Sequence, residues 1–380
     1  MRFIQLFLPG IFLFCTLHFA CKNDQPAGPS SNLSQKEEQL GIIDIQVTGS
    51  EAAIPHFTRG LLLMHNFEYE DAREAFLKAQ ATDSTFVMSY WGEAMTYNHP
   101  LWRQQDYEKG QAALAKLAAS PEERKALAAT ALEKDFLGAV EILYGDGKKK
   151  DRDRQYSDFL ANLYKKYPEN QEIASFYALS CLGAVAVGRD DIAYEKGASI
   201  AQKVIEVNPN HPGALHYLIH SYDDPGHASL ALNAANSYSK VAADAAHALH
   251  MPSHIYVAVG MWDEVVNCNI ASWDASIKRM EEKGLGGDAR SYHAIHWRMY
   301  GHLQKGQFDQ AARLLEEVNG YINDESSKRS RSYHPWMKAN YLVETGQWEA
   351  ELAHTNVKTD DLNIRSQAAL DYIAGMQAYK

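Results

Sequence analysis

Four histidines stand in two pairs of identical spacing: His216 with His220 and His250 with His254, each four residues apart, the pairs themselves offset by 34. On a helix, an i,i+4 pair puts two imidazoles on one face, with Cβ atoms about 5 to 6 Å apart. Packed helices lie about 8 to 10 Å from one another, so two facing pairs can converge on a single ion. Imidazole suits zinc, copper, iron and nickel. His247, His293 and His296 add further ligands, a second site, or donors that orient the first set. Tyr217, Tyr222, Asp223, Asp224 and Tyr300 offer acceptors close by, and the aspartates a carboxylate ligand. Residues 216 to 220 read His-Tyr-Leu-Ile-His, without the glutamate that supplies the general base of a zinc peptidase, so that chemistry is disfavoured. No Gly-rich phosphate loop, nucleophile elbow or cysteine beside an obvious base appears either, which leaves no nucleotide cofactor to expect. An oxygen-using copper or iron site is compatible with the cluster. Met64, Met88 and Met95 near His65 and His99 would favour copper, although methionines at helical spacing more often pack a core.

For the two pairs to face each other, their segments must be helices in matching register. Apolar residues recur at helical spacing, in paired segments broken by Gly, Pro or Asn-rich turns, and no alternating strand pattern appears. Residues 52–380 therefore read as helical throughout, in antiparallel pairs without a sheet. Ser120, Pro121, Glu122 and Glu123 form one clean start: a cap, a first-turn proline and the reciprocal carboxylate of a capping box. The pairs repeat at a period of 34. Gly60, Tyr69, Ala72, Phe76 and Ala79 set a register that returns in Gly226 and Ala231, in Gly260 and Trp262, in Gly306, Phe308 and Ala311, and in Gly346 and Trp348. Pro168 and Pro209 stand where the tetratricopeptide family, which this register resembles, places its turn proline. This pattern resembles the tetratricopeptide repeat, over roughly residues 52–120 and 156–356. The resemblance implies an all-α solenoid, a right-handed superhelix of antiparallel helix pairs; a less regular segment spans 121–155.

In that family the second, fifth and ninth places of each repeat face the concave groove that holds ligands. Carried over, the stripe reads Gly213, His216, His220, then His247, His250, His254, then His293, His296, Tyr300. Seven of these nine places are histidine, where sixteen in 380 residues would supply fewer than one by chance. His65 and His99, also 34 apart, end the first helices of the first two repeats. Segments 214–228 and 247–260 resemble a histidine-rich bacterial subfamily that lends no activity. Pro252 removes a backbone donor inside its helix and predicts a kink that re-aims His250 relative to His254.

Two functional classes stay open. One is a groove that binds zinc, copper or iron through His216, His220, His250 and His254, with His247, His293 and His296 in support and metal-dependent activity as an extension. The other is a metal-free adaptor that holds a peptide, a glycan, a small ligand or an envelope protein, with Trp91, His65, His99, Asp223, Tyr300, Tyr333 and Trp336 lining the groove. A formal charge of -11 excludes a basic footprint and makes nucleic acid an unlikely fit.

The N-terminus reads as a targeting segment. Arg2, an almost wholly apolar run from Phe3 to Phe19 and Ala20 before Cys21 resemble a bacterial lipoprotein signal over residues 1–20, with Cys21 lipidated. Pro9 and Gly10 and the short run argue against a permanent span. Residues 21–51 follow as the lipidated cysteine and a polar tether, and 52–380 as the repeat body. The expected location is the cell envelope, periplasmic or surface-exposed, held at a membrane by its lipid. Cys181 and Cys268 then remain as two separate buried thiols rather than a disulfide framework. Residues 365–380 read as a solvating cap or the first helix of a further pair.

Overall fold

The computed structural model describes residues 38–354 and 357–379. Helices come in hairpins. The first is α1 (Ile54–His65) with α2 (Tyr69–Thr82), and the second α3 (Val87–Met95) with α4 (Tyr107–Ala115). Then follow α5 (Pro121–Leu127), α6 (Ala131–Leu143) and α7 (Lys149–Lys166), so the stretch of lost register is itself helical. Next come α8 (Gln171–Gly183) with α9 (Asp191–Val207), and α10 (Pro212–Ser221) with α11 (Leu232–Val241). The sixth hairpin has a divided first arm, α12 (Ala246–His250) and α13 (Pro252–Ala258), against α14 (Trp262–Glu282). Last are α15 (Tyr292–Gln304) with α16 (Phe308–Tyr321), then α17 (Lys328–Thr345), α18 (Glu351–His354) and α19 (Ile364–Tyr379). The one departure from the expected absence of sheet, among the described residues, is a two-residue pairing of Asn98 with Gln105 and His99 with Gln104.

Local chemistry explains the hairpins. Gly260, Gly306 and Gly346 each adopt a left-handed φ, at +75°, +69° and +68°, just past α13, α15 and α17. A side chain at those places would be strained, so glycine stops the helix and turns the chain. Gly60 serves differently: it sits inside α1, where an added Cβ would stand 2.8 Å from the Phe76 ring. Gly226 lies in the turn after α10 rather than at its last residue. Ser120 and Glu123 close the capping box at 3.3 Å and 3.0 Å, and Thr130 with Glu133 form a second one at α6. The hairpins share a core in which Phe57 packs between Phe76 and Phe86 at ring separations of 5.6 and 5.1 Å. Full burial of such a ring contributes about 1.5–3 kcal/mol. A second core cluster runs from Trp273 to Ile373.

The first hairpin does not stay a neighbour of the second alone. It packs against the fourth, fifth and sixth. Asn66 donates to Leu40 O and accepts from Tyr238 Oη at 2.7 Å, while Glu68 accepts the His247 backbone N–H at 2.9 Å, at the start of α12. Asp71 and Glu74 of α2 meet Arg279 of α14 and Lys283 just past its end, with Lys283 Nζ 2.8 Å from Asp71 and 2.6 Å from Glu74. Residues 38–50, read as the end of the tether, dock along the same seam: Ile42 N–H donates to Asn210 O at 2.9 Å and Asp244 N–H to Gln39 O at 3.1 Å. The superhelix thus turns until its beginning fills the groove opposite α10 and α12. Cys21 and the targeting segment lie outside the described residues. No described helix is long and apolar enough to cross a membrane. Both described cysteines are free; Cys181 is buried and Cys268 half-buried.

Candidate metal centre

The histidine stripe gathers as the helices dictate, but into two sets rather than one. His216, His220 and His247 form the first, and His250, His254 and His293 the second; within each, one ligating atom per residue lies within 4.8 Å of the others. The four residues expected to share an ion are therefore divided. Each i,i+4 pair takes its third member from the next hairpin, because the helix that follows is stepped along the superhelix. Pro252 divides α12 from α13, yet Met251 keeps helical angles of φ -54° and ψ -36°, so His250 and His254 stay on one face.

Hydrogen bonds fix how these rings present themselves. His216 Nδ1–H donates to His65 O at 2.7 Å, which leaves its Nε2 bare and 3.1 Å from His220 Nε2. His250 Nδ1–H donates to Asn269 Oδ1 at 2.6 Å; the Asn269 amide is oriented by its own donation to Val265 O at 2.8 Å. His254 Nδ1–H donates to Asp223 at 2.7 Å, and its Nε2 lies 3.1 Å from that of His250. Metal-binding histidines ordinarily carry such an acceptor on the far ring nitrogen, where it fixes the tautomer and raises basicity. Burial pushes the His216 and His250 imidazoles down to about 3 and those of His220, His247 and His293 well below the usual value, so these rings are neutral at pH 7. Two ring nitrogens 3.1 Å apart need a proton or a cation between them, and in the first pair a neutral His220 can supply it by donating from Nε2 to the bare Nε2 of His216. His247 Nε2 has no partner among the described residues although it is buried.

Aromatic rings wall the cluster. Phe67, held at φ +57°, stands 4.2 Å from the His216 ring and 5.6 Å from that of His247. Trp297 covers the other end, 4.5 Å from His254 and 5.1 Å from His250.

A third group, His65, Glu172 and His211, is completely buried and has ligand spacing too, but every atom is satisfied. His211 Nδ1 accepts the Ala214 backbone N–H at 3.1 Å, capping α10, so its Nε2–H donates to Glu172 Oε1 at 3.1 Å. His65 Nδ1 accepts from Tyr217 Oη at 2.9 Å and its Nε2–H donates to Glu172 Oε2 at 2.7 Å. Burial alone would raise the Glu172 pKa, but the two imidazoles outweigh it and bring the carboxyl down to about 2. Both ring nitrogens of each imidazole are thus engaged, and neither ring offers a free lone pair to an ion.

The remaining candidates scatter. His296 stands apart from both sets: its Nε2 accepts from Asn340 at 3.0 Å, and Tyr333 and Trp336 pack on it at 6.1 and 6.4 Å. Tyr333 also meets His293 at 6.0 Å. His99 stacks on Tyr69 at 4.0 Å and donates to Thr96 O, and Tyr300 packs on Trp262. Trp91, expected beside the groove, is a core residue at 1 % exposure, set against Phe136 and Phe176, because the inner face of α3 is covered by α6 and α8. Met64, Met88 and Met95 are likewise packing. Asp224 pairs with His227 and Arg189, and Tyr222 reaches Glu195. Sequence reasoning passed over Glu172, His211, Asn269, Glu68, Phe67 and Trp297. Only His211 carried a local cue, its place just before the proline that starts α10.

Among solved structures the chain is similar to a tetratricopeptide repeat protein from Parabacteroides merdae, at 10% identity and TM-score 0.38 over 86% of this chain and 100% of that one. It is also similar to the P58(IPK) TPR domain (12%, 0.23, 86% and 99%) and to yeast Tom70 (10%, 0.31, 86% and 89%). No protein-family model and no curated protein matches. The assignment to an all-α, tetratricopeptide-like solenoid rests on the hairpins themselves, and likeness at this level says nothing about the site.

Proposed function

We propose that this chain binds transition-metal ions through two adjacent three-histidine sets, His216–His220–His247 and His250–His254–His293. One observation carries the reading: in both i,i+4 pairs the Nε2 atoms converge at 3.1 Å while Nδ1 of His216, His250 and His254 is tied to a fixed acceptor. Three neutral nitrogens per ion, without thiolate or carboxylate, suit zinc or copper, with affinity generally greatest for copper(II). The test is elemental analysis of the body from Lys22 onward, purified without a metal-binding tag. Metal that approaches two ions per chain, and falls to one in a folded His250→Ala, His254→Ala variant whose first set is intact, supports the proposal. A wild-type protein that is metal-free and gains no thermal stability from zinc, copper, iron or nickel defeats it.

Stacked helix hairpins are generally interaction scaffolds with an extended concave surface, and the half-buried Tyr333 and Trp336 keep a protein or peptide partner in play near α17. Along α10 and α12 the first hairpin already occupies the inner face, which favours the metal reading there. The apolar run from Phe3 to Phe19 and Ala20 before Cys21 support a lipid on Cys21 as the tie to a membrane of the cell envelope. Cys21→Ser should release it from the membrane fraction; an exported variant that stays membrane-bound would show that the lipid is not the anchor.

A further inference from the structure

Resting on the metal-binding reading, a second step concerns how the two sets relate. They are not merely present in one chain. The His220 and His254 rings are 5.8 Å apart and those of His247 and His250 6.1 Å apart, which is ring-to-ring contact across the boundary between the sets. Aromatic rings flank this contact: Phe67, Tyr238 and Trp102 meet the first set, and Trp297 and Tyr333 the second. The carboxylates that touch these segments among the described residues do so from the side: Asp223 accepts from His254 Nδ1 and Glu68 from the His247 backbone N–H.

Two divalent cations with six neutral ligands would repel each other strongly in so dry a place. Paired-metal sites hold their ions about 3.5–4 Å apart, and an anion placed between them lowers that repulsion. We propose that the two sets form one dinuclear centre whose ions share a bridging hydroxide. Its formation is balanced as follows: a water oxygen makes a bond to each ion, one O–H bond breaks, and the proton leaves to solvent. No electron moves. A metal-bound water is already far more acidic than bulk water, and a second ion on the same oxygen acts in the same direction.

The probe is copper(II) alone, because two copper(II) ions joined by one oxygen couple their unpaired electrons, whereas isolated ions do not. Wild-type protein saturated with copper(II) should hold two ions per chain and give almost no integrated electron paramagnetic resonance signal. His254→Phe with His293→Phe should hold one ion with its full signal, and His220→Phe with His247→Phe should do the same from the other side; circular dichroism checks that each variant is folded. Two ions with two full signals would mean independent sites and would overturn the dinuclear proposal while leaving metal binding intact. A single ion per wild-type chain would also overturn it, in favour of an ion shared by the two pairs. No bound copper would remove the metal reading and this inference together.

Discussion

The buried triad His65–Glu172–His211 and the two histidine sets a few ångströms away use the same side chain at similar depth, yet they differ in where the protons sit. In the triad each imidazole donates from Nε2 to Glu172 and accepts at Nδ1, from Tyr217 or from the Ala214 backbone, so four ring nitrogens and a carboxylate close on themselves. In the histidine sets His216, His250 and His254 donate outward from Nδ1, to His65 O, Asn269 and Asp223, and turn Nε2 inward toward their neighbours. Spacing alone cannot separate the two arrangements, since all three groups have ligand spacing. Hydrogen-bond direction can: it makes the triad a structural clasp between α1, α8 and α10, and it is the ground on which the sets are proposed to take a cation.

The two regions should separate most widely in acid. An imidazole whose pKa falls on folding leaves the unfolded chain binding more protons, so its contribution is full above about 6.5 and is lost as pH drops toward the folded value. For His216 and His250 that window runs from about 6.5 down to about 3. Glu172, at about 2 in the folded chain, loses its contribution only below its ordinary carboxylate range. Metal-free protein should therefore lose stability to urea steadily below pH 6.5. Retained full stability at pH 5 would mean that the sets are not neutral and buried.

Removing the clasp comes next in size. Glu172→Ala strands two buried imidazole N–H groups and should cost about 3–5 kcal/mol in denaturant unfolding, as breaking a buried pair does, while leaving metal stoichiometry unchanged in protein that remains folded. Loss of metal from that folded variant would erase the distinction drawn here. Smaller again is the gain from an ion: at a hundredfold excess over its dissociation constant, metal in one set should stabilise the wild type by about 2.7 kcal/mol, seen as a rise in Tm that is reduced in the His250→Ala, His254→Ala variant, which keeps only the first set. The finest test is Asn269→Leu, which takes away the acceptor that aims His250 and should weaken metal binding roughly 10- to 100-fold without abolishing it. An unchanged affinity would mean that His250 needs no such orientation.

What was legible in the sequence was local. The i,i+4 histidine pairs, the capping box at Ser120 and the turn glycines at 260, 306 and 346 each depend on residues within one helical turn or hairpin, and their spacing carries over directly into geometry. The grouping of the histidines was not legible, because His247 and His293 join the two i,i+4 pairs through the step between hairpins. The closure of the superhelix was also out of reach. His65 to Tyr217 spans 152 residues and Asn66 to Tyr238 spans 172, and no periodicity marks such partners. Trp91 shows the converse error: an aromatic on the inner face of α3 reads as groove lining until α6 and α8 are known to cover it.

The most direct measurement is a crystal structure of the copper-loaded body with anomalous diffraction recorded at the copper edge. The account predicts two neighbouring peaks, one bound by His216, His220 and His247 and the other by His250, His254 and His293, with nothing at His65–Glu172–His211. A single peak shared by His216, His220, His250 and His254, a peak at Glu172, or no peak at all would contradict it.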